Sequence, residues 1–355
     1  MFRRLQEIAK EGRKFFIDMT DVSGASGEAY VGLDFGTSNT AISYIDKAWV
    51  GLTQARSRDA GWKELGELVE LLPTPLAVPL ARFIGDHHYH DVVPPGQSFL
   101  EAGLCLAAYV SYVEFCSTSR RAVTRLFSRF PHRSASYLWK MLKEVQLQLG
   151  RNAVITAPFK KLCGGENEEI FEQVTRLWAQ ARHELATAEK DKILAAVRVL
   201  ANMSHEVFCR YHFGFFQHVQ KEAFASRYRG RFRVTHGKPP HTRYFQYSGT
   251  NSFSEAEAFV VSTEKSVAMP LAPFIFWYQC PQHRDLENGH CFLFDKLRGN
   301  DMAAEAIFKA ANHTCHLTAS AGAGELSSLV RALLAARAQD PQLEQIENVR
   351  LASAE

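Results

Sequence analysis

The stretch YVGLDFGTSNTAISYI, residues 30–45, decides the fold that this sequence predicts. It begins with mostly apolar residues and continues with small polar residues around Gly36. At its end, Ile42 and Tyr44 alternate with their neighbours at the two-residue period of an extended chain, which is typical of a strand. The stretch therefore predicts two strands that are joined by a tight turn.

The predicted turn has the composition of a phosphate clamp. Gly36 lets backbone amides approach an anion closely, and the hydroxyl side chains beside it add hydrogen-bond donors. Asp34 stands just before the turn, where its carboxylate can hold a hydrated Mg²⁺ that phosphate oxygens complete. The predicted phosphate-binding residues are Gly36, Thr37, Ser38, Asn39 and Thr40.

Residues 32–40 closely resemble the first phosphate motif of the Hsp70, actin and sugar-kinase ATPases, in its Hsp70-like form. Two later segments resemble the same family in the same order. Residues 134–143 resemble a helix that leaves the first lobe's insertion, and residues 152–159 resemble the next strand. The resemblance covers about residues 28–185. It implies an RNase H-like lobe of the actin and Hsp70 type, with ATP and Mg²⁺ bound as cofactors. The resemblance further implies that Asp34 is the catalytic residue and that residues 36–40 bind the nucleotide.

The sequence differs from the family at a position that the family uses for ATP hydrolysis. Residues 120–130 are similar to a segment that carries a phosphate-contacting lysine, but Thr124 occupies that position here, and a threonine places no cation on a transferring phosphate. Alternatively, residues 120–130 are simply a basic helix. No good second phosphate clamp follows, and residues 319–324 resemble the adenosine loop only vaguely. The resemblance therefore implies a nucleotide-binding switch that regulates a protein partner, with weak or absent ATPase activity.

The most basic passage of the chain suggests a rival function. Arg227, Arg229, Arg231 and Arg233 alternate with other residues, so that a strand would place all four on one face. Such a face suits phosphates, and interleaved aromatic residues suit stacking on bases. The rival prediction is a non-enzymatic adaptor or a nucleic-acid-binding protein. A plainer alternative is a solvated edge strand whose like charges block aggregation.

Two clusters of metal-ligating residue types occur. A tetrahedral zinc set at a hairpin could be supplied by Cys280, His283, His290 and Cys291. Against this, His290 and Cys291 are adjacent, and adjacent residues of a strand point to opposite faces. The alternative is a hairpin with a buried thiol. Residues 86–90, DHHYH, form the second cluster, which predicts either a metal site or a polar loop.

Apolar periodicity predicts the other elements. The predicted helices are residues 62–71, 97–118, 167–185 and 191–213, and residues 71–78 resemble the family's proline that precedes a strand. The predicted strands are residues 153–159, 259–261, 274–278 and 291–294.

The predicted fold class is α/β: an RNase H-like lobe followed by helices and a small α+β C-terminal region. A chain of 355 residues suggests about two domains. The predicted partition is an N-terminal helix and linker over 1–27, a nucleotide-binding lobe over 28–190, a helical connector over 191–226, an α+β domain over 227–340 and a tail over 341–355.

The cysteine count, the apolar runs and the net charge bear on the cellular location and the partners of the protein. Seven cysteines without a regular framework or a secretory signal predict a cytoplasmic protein. The longest apolar run, residues 267–278, is short and contains two prolines, so no membrane partner is predicted. The net charge of +3 is too small to imply nucleic acid by itself.

Overall fold

In a computed structural model of the 355-residue chain, the described residues are 29–35, 40–46, 60–86, 93–118, 134–180, 190–221, 227–238, 240–249, 257–262, 267–279, 290–311 and 315–338. The first two segments confirm the predicted pair of strands. Strand β1, Ala29–Phe35, pairs antiparallel with β2, Thr40–Asp46, and Phe35 lies opposite Thr40.

Helices fill the middle of the chain. Their bounds are α1 Ala60–Leu71, α2 Thr74–Asp86, α3 Val93–Thr118, α4 Ala135–Leu149, α5 Gly165–Gln180 and α6 Lys190–Phe208. The helices predicted at 62–71, 97–118 and 167–185 are confirmed, with ends that differ by a few residues. The helix predicted over 191–213 ends earlier, at Phe208, and the aromatic residues after it enter a strand. Segment Gly96–Thr118 of α3 is long and apolar enough to cross a membrane, and 83% of its apolar window is buried inside the protein.

The strand predicted over residues 153–159 is wrong. The backbone N–H groups of Val154, Ile155 and Thr156 donate to the carboxylate of Glu114, over N–O distances of 2.7, 2.6 and 2.9 Å. These amides are therefore not available to a sheet. Pro158 lacks an N–H group and opens a 3₁₀ helix, Ala157–Cys163.

The passage over residues 71–78 also differs from its family resemblance. It ends α1 and begins α2, rather than forming a strand after a proline. Pro75 lies in the first turn of α2, where a missing N–H group costs no helical hydrogen bond. Proline here marks the start of a helix.

The second half of the chain forms two antiparallel sheets. The five-stranded sheet has the order β5-β4-β3-β6-β7, and the four-stranded sheet has the order β11-β10-β9-β8. The strands predicted at 259–261, 274–278 and 291–294 are confirmed, because they lie in or overlap β6, β8 and β9. The bounds of the strands are β3 His212–Lys221, β4 Tyr228–His236, β5 His241–Gly249, β6 Ala258–Ser262, β7 Val267–Pro270, β8 Ile275–Tyr278, β9 His290–Arg298, β10 Glu305–Ala310 and β11 His316–Ser320. A final helix, α7, spans Ser327–Ala338.

One hydrophobic core joins the helices to the four-stranded sheet. Tyr109 of α3 stacks on Phe274, with ring centroids 5.0 Å apart, and its hydroxyl donates to the carbonyl oxygen of Phe294. The core runs from Trp62 to Leu333. A smaller core lies on one face of the five-stranded sheet, around Phe216. The described fold is therefore mixed α/β, with helices, the two-stranded pair β1-β2 and two larger antiparallel sheets.

Candidate functional site

The structure places part of the predicted nucleotide clamp. Asp34 is the next-to-last residue of β1 and pairs with Ala41 of β2. Thr40 begins β2. The structure does not describe Gly36, Thr37, Ser38 or Asn39. What it shows of this site is therefore the register of the two strands.

Two of the four predicted zinc ligands are described. His290 and Cys291 are the first residues of β9, and both side chains are buried. Cys280 and His283 lie outside the described residues, as do residues 87–90 of the other cluster. Within the described ranges, no three His, Cys, Asp or Glu side chains are grouped closely enough to hold a metal. The zinc set stays a prediction.

The arginine-rich strand lies inside a sheet. Strand β4 pairs with β3 on one side and with β5 on the other, so the alternative of an edge strand is wrong. Arg229, Arg231 and Arg233 occupy alternate positions of β4 and share one face, as predicted, and Arg227 precedes the strand. We call this the arginine face and include in it the cross-strand neighbours on β5, which are Ser248, Gln246 and Tyr244.

The arginines of this face differ in burial. Arg233 is buried, with 6% of its surface exposed, and its guanidinium group lies 5.7 Å from the ring centroid of Phe215. Phe215 stacks in turn on Trp277 of the four-stranded sheet, at 4.7 Å. Arg233 is therefore part of the packing between the sheets.

Arg231 is exposed and has a different environment. Its guanidinium group lies 3.7 Å from the ring centroid of Tyr244, which is a close cation–π contact. Tyr244 keeps 44% of its surface exposed. Arg229 is also exposed, two residues earlier on the same face. The outer part of the arginine face thus presents two cations and an aromatic ring to solvent.

Strands β3, β4 and β5 contain no aspartate or glutamate. The formal charges of these three strands are therefore all positive, from one lysine and four arginines. The basic residues and histidines of the three strands are His212, His218, Lys221, Arg229, Arg231, Arg233, His236, His241 and Arg243.

Sequence reasoning missed β5, which supplies half of the arginine face. Residues 241–249 alternate polar and aromatic side chains, and Tyr244 and Gln246 stand on the exposed side. That alternation is the signal of a half-buried strand. The pattern is hard to recognise in the sequence, because basic residues surround it and because polar side chains also occupy positions that face the core.

A cavity of about 1110 Å³ lies between α4 and α5. Lys143 forms salt bridges there with Glu168 and Glu172. Burial, and then the nearby Glu168, raise the pKa of Cys163 to about 12, so this thiol is protonated and is not a nucleophile near pH 7. Its lining mixes four basic residues with three carboxylates, and we do not assign it a ligand.

Comparisons with protein-family models, with curated proteins and with solved structures found no match for this chain. The candidate function therefore rests on the chemistry of the residues themselves. Of the predicted sites, the arginine face is the one whose side chains the structure describes most fully.

Proposed function

We propose that the arginine face binds a single-stranded nucleic acid. The observation that carries this proposal is the exposure of Arg229, Arg231 and Tyr244 on one face of strands that contain no carboxylate. Guanidinium groups bind phosphate oxygens in a bidentate manner, and they remain charged at any physiological pH. A row of such groups along a strand follows the direction of a nucleic-acid backbone.

The composition of the face favours a single strand over a duplex. Aromatic rings and guanidinium planes on a sheet stack with unpaired bases, which a duplex does not offer. Gln246 and Ser248 add donors and acceptors for base edges or sugar hydroxyls. Because Arg233 is buried against Phe215, we assign the phosphate contacts to Arg229 and Arg231, and we assign to Arg233 the role of fixing the strand.

The test is the salt dependence of oligonucleotide binding. A labelled 20-nucleotide oligo(dT) is titrated with the full chain at several salt concentrations, and binding is followed by fluorescence anisotropy. Replacing both Arg229 and Arg231 with glutamine is expected to weaken binding about tenfold or more. The slope of log K against log salt is expected to become shallower by about 1.4, or about 0.7 for each lost phosphate contact.

The matched control removes two exposed arginines elsewhere. Arg298→Gln combined with Arg331→Gln makes the same change in net charge, on β9 and α7. This variant is expected to bind like the wild type, apart from a small effect of net charge. Equal losses in the two double variants would show that the binding is non-specific electrostatics, and no binding at about 25 mM salt would end the proposal.

A second candidate function is binding of ATP with Mg²⁺ at the turn between β1 and β2, in a divergent Hsp70-like protein. The pairing of Phe35 with Thr40 is compatible with it, because this register leaves residues 36–39 as the connection between the two strands. Asp34 would act on Mg²⁺ through water, and the turn would bind the phosphates. An RNase H-like lobe would need a third strand other than residues 153–159.

Calorimetric titration of ATP and Mg²⁺ tests this second candidate. Saturable binding by the wild type that is lost in Asp34→Ala would support a nucleotide switch, and ATP turnover would then be assayed. The absence of heat with both proteins, at concentrations that detect an affinity of roughly 100 µM, would reduce the motif to a structural hairpin.

A further inference from the structure

The opposite face of the same sheet carries a second basic site. The pairing of Val234 with Arg243, and of His236 with His241, puts these side chains on the face that does not contain Arg229 and Arg231. His212 of β3 lies on this face as well, because Gly214 pairs with Val234. The site is thus separated from the arginine face by the thickness of the sheet.

A cavity of about 210 Å³ opens where this face meets the helices. The C-terminal end of α6 contributes His205 to it, and the junction between α1 and α2 contributes Pro73. The volume is smaller than the 300–1000 Å³ that is usual for drug-sized ligands, so the occupant is a small molecule or ion. The lining residues are Leu71, Pro73, His205, Phe208, Cys209, His212, Phe213, Val234, His236, Arg243 and Phe245.

The backbone holds the histidines of this cavity in place. His236 forms a β-bridge with Pro73, and the N–H group of the following Gly237 donates to the carbonyl oxygen of Leu72 over 3.0 Å. The ring of His212 stacks on Phe245, with centroids 4.7 Å apart. The ring of His212 is therefore fixed by packing, and the backbone at His236 is fixed by its contacts with residues 72 and 73, before any ligand binds.

The lining of the cavity is positive or neutral. It contains Arg243 and three histidines, and none of its lining residues is a carboxylate. The Nδ1 atom of His236 is buried and has no hydrogen-bond partner within the described part of the chain. A buried polar atom without a partner is costly, and a ligand that accepts or donates a hydrogen bond would remove that cost.

Burial, and then the charge of Arg243, lower the pKa of His212. Burial lowers the pKa of His236 as well, followed by the effects of Arg243, His241 and His212. These histidines are therefore neutral near pH 7 and gain charge only below their ordinary value. An anion in the cavity would reverse this effect, because it favours the protonated rings.

We propose that this cavity is a binding site for a small phosphate anion, either inorganic phosphate or the phosphate group of a monoester. Arg243 supplies a charged bidentate donor, and His236 supplies the second contact through the unpartnered ring nitrogen. Metal binding is disfavoured, because the histidines and Cys209 are not grouped closely enough to act as three common ligands. The proposal is independent of nucleic-acid binding on the other face.

The proposed site predicts a binding constant that depends on pH. Binding of an anion is coupled to protonation of the histidines, so affinity is expected to rise as pH falls from 7.5 to 5.5. The titratable groups that face the cavity are His205 and Cys209 from α6, His212 from β3, His236 from β4, and Arg243 with the neighbouring His241 from β5.

Isothermal titration calorimetry of the full chain tests the proposal, with inorganic phosphate and methyl phosphate as separate probes. Sodium chloride keeps the ionic strength constant at pH 5.5, 6.5 and 7.5. Both probes take up a proton at about pH 6–7, so each affinity is expressed for the dianion. We expect saturable binding whose affinity for the dianion tightens at least about fivefold between pH 7.5 and pH 5.5. The probe that binds more tightly identifies the free ion or the monoester as the ligand class.

Two variants of the cavity and one control make the test specific. Arg243→Gln is expected to weaken phosphate binding about tenfold or more, and His236→Gln is expected to flatten the pH dependence. Arg298→Gln, on β9 of the other sheet, is expected to leave phosphate binding unchanged. Melting curves in chloride establish that each variant is folded.

The proposal is overturned if neither probe binds at pH 5.5, or if Arg243→Gln and Arg298→Gln weaken binding equally. It is also overturned if the affinity for the phosphate dianion does not change with pH. Oligonucleotide binding that depends on Arg229 and Arg231 would stand in any of these cases, because the two faces are tested by different variants and different ligands.

Discussion

Replacing Glu114 with alanine is expected to lower the free energy of unfolding by about 3–5 kcal/mol. The Glu114 side chain is 2% exposed, and its carboxylate accepts hydrogen bonds from three consecutive backbone N–H groups and from the hydroxyl of Thr156. Alanine would leave the four donors without this acceptor, and the three donors of Ile155 and Thr156 are buried. Each buried donor without a partner costs about 1–3 kcal/mol, and relaxation of the loop would recover part of the total.

The loss of stability should exceed that of the hydrogen bonds to Glu114, since a second buried polar group depends on the same loop. The side-chain amide of Gln146 on α4 donates to the hydroxyl oxygens of Ser111 and Thr156, over 2.9 Å in each case. Displacement of Thr156 would therefore also disturb the contact between α3 and α4. Glu114→Gln should be milder, at about 2 kcal/mol, because one oxygen acceptor remains.

Urea unfolding followed by tryptophan fluorescence measures this change. Glu169→Ala is the control, because Glu169 is an exposed carboxylate of α5 whose removal should alter stability by at most about 0.5 kcal/mol. A loss for Glu114→Ala that stays within about 1 kcal/mol of the control would mean that Glu114 does not hold residues 154–156.

Glu114 also explains the largest error of the sequence reasoning. Residues 153–159 have the composition of a buried strand, with Val154 and Ile155 next to Thr156. Nothing local indicates that a glutamate 40 residues earlier takes their backbone donors. A long helix such as α3 is predictable from its own apolar pattern, but a polar contact across the core is not, because it depends on the tertiary fold.

The arginine face shows the same division between local and non-local information. The two-residue period of Arg229, Arg231 and Arg233 predicted correctly that they share a face. The period did not reveal that β4 is central, or that Arg233 is buried over Phe215. Both facts depend on which strands become neighbours, and strand order is set by contacts between residues distant in sequence. In the structure, Arg233 packs in the interior, whereas Arg229 and Arg231 are exposed.

The histidine cavity was beyond sequence reasoning for a similar reason. His205, His212 and His236 are single histidines in three different elements, and no short motif joins them. They meet because the junction between α1 and α2 docks on the end of β4 through Leu72 and Pro73. A site that is assembled from single residues on several elements has no sequence pattern to recognise.

Replacing Gly214 with alanine is expected to cost about 3 kcal/mol of stability, near the upper end of the usual effect of overpacking. A Cβ atom at this position of β3 would lie 2.0 Å from the carbonyl oxygen of Arg233 and 3.1 Å from Cζ of Phe232. Arg233 belongs to β4, a strand with partners on both sides, so its backbone cannot move away without disturbing two ladders. Heat or urea unfolding measures the loss.

Gly164→Ala is the matched control for this prediction. No atom lies within 4 Å of a Cβ built at Gly164, and its φ of −156° is open to any residue, so a change within about 0.5 kcal/mol is expected. A neutral Gly214→Ala would have a consequence for function as well as for stability. It would mean that β3 and β4 are not as close as the pairing of Gly214 with Val234 requires. Arg233 would then lose its fixed place over Phe215, and the separation of the arginine face from the histidine cavity would no longer follow from the register of the sheet.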